Sequence, residues 1–233
     1  VVLGDQLDNT SSAFDGFDPK QDAVWMAEVA EESTHIWSSK QRIALFLAAM
    51  RHFGQALRDA GYPLHYTRLD QADNRGSLAA ELQFAIEKLA PCACVISGAG
   101  DFRVYKSIQA VAKQSGVPLD VREDRHFYAT VRQFATHAQG RKSLRMEYFY
   151  REMRRRHSVL MDGDQPTGGQ WNFDEDNREA FGKTGPGSVP ARTTFAPDAT
   201  TQQVIALVNT RFASHPGTLH SFAWPVTRAQ ALQ

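Results

Sequence analysis

A chain of 233 residues with 42% hydrophobic side chains can bury a core, which excludes an intrinsically disordered composition. Its 26 Lys and Arg balance 26 Asp and Glu, so no global field draws it to nucleic acid, and such a partner needs a local basic patch. No signal peptide or membrane-length apolar stretch is present and only two cysteines occur, which together read as a cytoplasmic protein with reduced thiols and no membrane partner.

The chain opens on a strand-like Val1–Leu3 whose tip is Gly4-Asp5-Gln6. Further buried strands are predicted over Ala23–Val29, Pro63–Leu69, Cys92–Gly98 and Pro118–Asp124. Between them, Ile43, Phe46, Leu47, Met50, Phe53 and Leu57 mark one apolar face of a helix over Lys40–Ala60. Ser38 with Gln41 suits a capping box, and Gly61-Tyr62-Pro63 suits a stop. Two more helices are predicted over Ser77–Leu89 and Val104–Ser115. Strands alternating with helices imply parallel pairing through right-handed crossovers. The first ~130 residues are thus expected to form an α/β, Rossmann-like open parallel sheet with helices on both faces. Cys92 and Cys94 would share a strand face, too close in sequence for a disulfide and too few for a zinc or iron–sulfur site.

After Arg125 the texture changes. A long helix is predicted over Arg141–Leu160, with Met146, Phe149, Tyr150, Met153 and Leu160 as its apolar stripe. Arg141, Lys142, Arg145, Arg151, Arg154, Arg155 and Arg156 make it basic against only Glu147 and Glu152. That face reads as solvated, or, through Tyr148–Tyr150, as a docking face for a partner domain or phosphate. Met161–Pro190, rich in Gly, Pro and Asp, is a linker whose Trp171 and Phe173 are expected to dock. A helix follows over Thr200–Ala213, and a last one begins at "TRAQAL". The expected division is 1–138 as an α/β domain, 139–198 as basic helix and helical or irregular linker, and 199–233 as the start of a further helical domain, with both chain ends trimmed.

Ligands of open parallel sheets bind beyond the C-terminal strand ends. Three polar stretches fall there: Gly4-Asp5-Gln6, Glu28–His35 and Gly98–Arg103. Each alone reads better as a solvated turn, and their convergence makes a site for a polar, flat heterocycle an equal reading. Glu32-x-x-His35 is only half of a di-iron helix motif, Gly98-x-Gly100 lacks the third glycine of a dinucleotide fingerprint, and no Walker or nucleophile-elbow motif occurs.

Taken together, "LGDQL", "EVAEESTHIWSSKQRIALFLAAMRHF" (Glu28–Phe53), "LRMEYFYREMRR" (Leu144–Arg155), "GGQWNFDEDNR" (Gly168–Arg178) and "FAWPVTRAQAL" (Phe222–Leu232) resemble the deoxyribodipyrimidine photolyase-related proteins. These are the iron–sulfur bacterial cryptochromes and photolyases, prokaryotic (6-4) photolyases among them. The resemblance implies an N-terminal antenna domain that holds 6,7-dimethyl-8-ribityllumazine at its strand ends. The matching positions are Gly4, Asp5, Gln6, Ala27, Glu28 and Glu32, with His35 and Phe46 nearby. Ala27 and His35 stand where the family pattern has Cys and Tyr, and Phe46 is bulkier than the aliphatic residue expected. FAD, a [4Fe-4S] cluster and contacts to damaged DNA are expected only in a C-terminal helical domain beyond these residues, of which 199–233 would be the start. The fragment itself would carry no catalytic residue. The same module would also suit a blue-light-sensing cryptochrome without repair activity, or a free-standing small-ligand-binding domain, and the last would bury Trp171, Phe173 and Trp224.

Overall fold

A computed structural model describes residues 1–174, 178 and 180–233. They divide into two compact units, one of Val1–Arg122 with Thr193–Gln233, the other of Glu123–Arg192.

In the first unit, β1 (Val24–Ala27) pairs in parallel with β2 (Leu64–Thr67), and β3 (Cys94–Ser97) with β4 (Leu119–Arg122). The strand expected at Val1–Leu3 is not formed as a strand. Instead it makes one bond to each pair: the Val1 amino group donates to Val95 O at 2.8 Å and Val2 N–H to Trp25 O at 3.0 Å. One bond per side is short of the repeated exchange that makes a ladder. Side chains still alternate as in a pleat. Leu3, Trp25 and Ala27 face α3 (Leu78–Leu89) and α4 (Phe102–Gln114), packing on Leu82, Ile86, Val104 and Ile108. Val2, Val24 and Met26 face α2 (Lys40–Asp59), packing on Met50 and Leu57.

Local chemistry sets the helix ends. Ser39, not Ser38, caps α2: its backbone is extended (ψ 152°) and its hydroxyl accepts from Arg42 N–H at 3.3 Å. Ser38 donates to Ile36 O and Gln41 to Thr218 O, so the expected capping box is absent. Asp101 caps α4 by accepting from the N–H groups of Arg103 and Val104, which starts that helix at Phe102, ahead of the predicted Val104. Cys92 lies outside β3 and is exposed, whereas Cys94 opens the strand and is buried. The two cysteines are therefore not neighbours on one strand, since only Cys94 belongs to it. Burial pushes the Cys94 thiol up.

The C-terminal segment packs back onto α2. Val204 and Val208 of α7 (Ala199–Arg211), with Phe212, Leu219, Phe222 and Val226, form one cluster with Ile43, Leu47 and Leu69. Trp224, on the same stretch, is 36% exposed. A final turn, α8 (Arg228–Ala231), is closed by a capping box between Thr227 and Gln230.

In the second unit, α5 (Val131–Ala138) packs edge-on through Phe134 against Phe149 of α6 (Met146–His157), with ring centroids 5.1 Å apart. His137 Nδ1 lies 2.8 Å from Glu152 Oε2 between the same helices. The predicted Arg141–Leu160 helix is shortened at both ends. Arg145 is extended, and Ser158 adopts a left-handed conformation (φ 53°) that stops the turn. Met146 and Leu160, 69% and 60% exposed, do not join an apolar stripe. Past the β5–β6 hairpin (Met161–Asp162, Gln165–Pro166), Trp171 docks on α6 with the guanidinium carbons of Arg151, Arg154 and Arg155 at 5.4, 5.2 and 4.6 Å from its ring. Phe173 is 41% exposed. Of the "GGQWNFDEDNR" stretch, residues 175–177 lie outside the described residues, as does 179 just beyond it. Among the described residues no helix is long and apolar enough to cross a membrane.

Candidate ligand pocket

A cavity of about 190 Å³ opens at the C-terminal end of β1. Leu3, Ala27 and Val29 form one wall, and Ile43, Leu47 and Met50 of α2 form the other. Its rim carries Gly4, Asp5, Glu32, Ser33, Ser38, Arg42, Phe46 and Asp101. Strand ends, the start of a long helix and a capped α4 thus deliver an apolar slot with a polar mouth, the combination that suits a flat ring bearing a hydroxylated tail.

Glu28 lies in the wall rather than at the mouth. Its side chain is fully buried, and its carboxylate accepts from Arg51 Nε and Nη2 at 2.8 and 2.9 Å, Tyr66 Oη at 2.7 Å and Leu69 N at 2.9 Å. Four donors occupy the acceptor capacity of one carboxylate, leaving little for a ligand. Burial opposes the Arg51 charge, but the hydrogen bond and charge of Glu28, then Asp70, outweigh it and raise its pKa. Burial, followed by the neighbouring Glu28 charge, pushes the Tyr66 phenol far above its ordinary range.

Glu32 stands at the mouth on α1 (Ala30–Thr34), its carboxylate 2.8 and 3.0 Å from Arg103 Nη2. Arg103 also lies 3.5 Å from Asp101 and 3.9 Å from Glu31, so one guanidinium ties α1 to the start of α4. The Arg103 amide foremost, against slight desolvation, holds the Asp101 carboxyl below its usual range. Gln6 does not line the cavity. Its Nε2 donates to Ser97 O and Gly98 O at 3.0 and 3.1 Å, pinning the tip of the opening segment to the end of β3. His35 is exposed at the end of α1 and does not line the cavity, though it lies near enough to Asp101 at the rim to help hold that carboxyl down. Asp5 Oδ2 would stand 3.3 Å from a Cβ at Gly100, so the Gly98-x-Gly100 stretch serves close approach to this rim.

The structure thus brings Gly4, Asp5, Ala27, Glu28, Glu32 and Phe46 to one cavity, and leaves Gln6 and His35 outside it. Asp101 comes from the Gly98–Arg103 stretch expected at the rim, whereas sequence reasoning missed Arg42 and Met50 as lining residues. Arg42 and Phe46 stand at i and i+4, with the guanidinium carbon 5.4 Å over the ring. Asp101 was legible as an N-cap acid one residue before an apolar run. Glu32 and His35 gather no third ligand: among the described residues no group of three or more His, Cys, Asp or Glu is placed to hold a metal ion.

The (6-4) photolyase of Agrobacterium fabrum is 43% identical over 232 residues, covering 99% of this chain and 45% of that protein. The chain therefore spans less than half the length of this relative. Uncharacterized protein R852 of Acanthamoeba polyphaga mimivirus is 24% identical over 177 residues, covering 71% of this chain and 86% of that protein. The family model described as deoxyribodipyrimidine photo-lyase-related protein matches residues 1–224. Matched along nearly all of its length, the chain belongs to the deoxyribodipyrimidine photo-lyase-related protein family.

Proposed function

We propose that this chain is the antenna-chromophore domain of a photolyase-like flavoprotein that repairs DNA with light, and that the strand-end pocket holds 6,7-dimethyl-8-ribityllumazine. The observation that carries this reading is the apolar slot with a mixed polar mouth, in a chain 43% identical to a (6-4) photolyase. The donor set fits the group. Ile43, Leu47, Met50 and Phe46 offer apolar surface to a flat ring system, while Asp5, Glu32, Ser33 and Asp101 can pair with ring-edge groups and ribityl hydroxyls. When bound, the lumazine supplies absorption of violet light.

The chain's own residues position and enclose. Glu28, locked by Arg51 and Tyr66, stiffens the wall, and Gln6 fixes the strand tip that presents Asp5. Arg103 draws α1 towards the start of α4 beside the mouth. We read the two parallel pairs, bridged by Val1–Leu3, as one open Rossmann-like sheet ordered β2, β1, Val1–Leu3, β3, β4. The bonds from Val1 and Val2 to opposite neighbours support this, as does the pleat alternation of Val2 and Leu3. Repair itself, electron transfer from reduced FAD to a flipped-out lesion, is assigned to no residue of this chain. FAD and the [4Fe-4S] cluster likewise have no assigned ligands here.

The test is an absorption titration of the purified chain with lumazine, together with the mass of any small molecule released on denaturation. Saturable uptake, weakened about tenfold or more in Glu32→Ala through loss of a charge-assisted contact, is the expected result. A colourless protein that takes up no added lumazine overturns the reading. Equal uptake by Glu32→Ala removes Glu32 from the site.

A further inference from the structure

The rim of the cavity takes Glu32, Ser33 and Ser38 from one segment. Between buried Val29 and buried Ser38 no residue of that segment is buried, and α1 has no side-chain cap at its start. It is tied down near both ends. Near the start, Glu31 N–H donates to Gly76 O at 3.1 Å and Glu32 meets Arg103 at 2.8 Å. At the far end the partner is His215, which holds Ser38 from 177 residues away in sequence.

His215 is buried, and its Nδ1 lies 2.9 Å from Ser38 O. A carbonyl oxygen only accepts, so Nδ1 carries the hydrogen and donates. The imidazole stacks on Trp37, with centroids 4.6 Å and planes 14° apart, and meets the Phe212 ring edge-on at 5.2 Å. Trp37 is otherwise open to solvent, at 64% exposure. The residues after His215 hold the start of α2. Pro216 O accepts from Lys40 N–H and Thr218 O from Gln41 Nε2, both at 2.8 Å. Gly217, at φ 90°, leaves no room for a Cβ against the Gln41 amide. Ile43 and Leu47 then serve twice, lining the cavity and packing in one buried cluster with Phe212, Leu219 and Phe222.

We propose that His215 is a positioning residue for the cavity. By fixing Ser38 and Trp37 it couples the rim segment 30–38 to the docking of residues 212–218. The proposal rests on the reading of this cavity as the lumazine site. Coupling between two equilibria is reciprocal, so a ligand that needs the rim in place also tightens the docked segment.

The experiment combines lumazine titration of the whole chain with backbone hydrogen exchange read by mass spectrometry. His215→Phe keeps a ring beside Trp37 and Phe212 but loses the donor to Ser38 O. His215→Asn keeps a donor in the place of Nδ1. H215F should bind lumazine about fivefold more weakly, the worth of one hydrogen bond, and H215N should restore most of that loss. W37A, at an exposed position outside the cavity lining, should lose a similar factor, and W37A/H215F should lose less than the two losses multiplied. In the free chain, exchange over 30–38 should be about fivefold faster in H215F, with α3 unchanged. Saturating lumazine should slow exchange over 212–218 in wild type and have less effect in H215F. H220Q, at an exposed position of the same segment, should change none of these readings. Unchanged exchange over 30–38 in H215F overturns the proposal, as do faster exchange in α3, which marks a general loss of stability, and full multiplication of the W37A and H215F losses. If the wild-type chain takes up no lumazine, the antenna reading fails, and exchange over 30–38 in the free chain still decides whether His215 holds the rim.

Discussion

Glu28 is the residue on which the pocket wall depends. A carboxylate without solvent contact is tolerable only if every lone pair is used, and Arg51, Tyr66 and the Leu69 amide use them. Replacing it with Gln removes the counter-charge and leaves Arg51, itself 5% exposed, buried without full compensation. Glu28→Gln should therefore lower unfolding stability by roughly 3 kcal/mol, measured by urea denaturation. Asp5, Glu28 and Glu32 could all be named in the sequence as acids at strand ends. Their division of labour could not, because it follows from which of them the long α2 helix meets with an arginine. Arg51 is one turn beyond Leu47 and reads, in sequence, as an ordinary polar position.

At the scale of elements, the packing of α7 on α2 is secured at its N-terminus. Asp198 accepts from Thr201 N–H at 2.9 Å as the cap of α7, and lies 3.3 Å from His52 Nε2 on α2. Partial burial works to raise its pKa, but the Thr201 bonds and the nearby His52 outweigh it and hold the carboxyl below its ordinary 3.8. A folded-state pKa below the unfolded one contributes stability above the unfolded value and loses it as pH falls through the folded value. Asp198→Ala should therefore cost about 1 kcal/mol near neutral pH, an N-cap loss, and the gap from wild type should close as pH drops below about 4. A gap that stays constant across that range would show that the carboxylate charge is not involved. The helices were legible because their apolar periodicity and caps are local. The length of α6 was not, since a left-handed Ser158 leaves no mark in the apolar and charged pattern.

For the whole molecule, residues 193–233 return to the unit that begins at Val1, across the intervening residues 123–192. The cluster of Val204, Val208, Phe212 and Phe222 with Ile43, Leu47 and Leu69 is the attachment. Lys183 and Arg192 lie in an exposed stretch rich in Gly and Pro, where trypsin has access. After cleavage there, the piece beginning at Thr193 should co-elute with the first unit on size exclusion and separate only in denaturant. Release without denaturant would show that this apolar contact does not hold. Composition, the amphipathic faces, the basic run and the polar strand ends were all determined by the sequence alone, because each depends on neighbours a few residues apart. Only the tertiary structure decided that Glu28 and Gln6 brace the pocket while Glu32, Arg42 and Asp101 face its mouth. It also decided that the opening segment makes single bonds to two strand pairs. Those outcomes depend on partners 23 to 94 residues distant, Arg51, Leu69 and Ser97 among them, and no local pattern specifies such pairings.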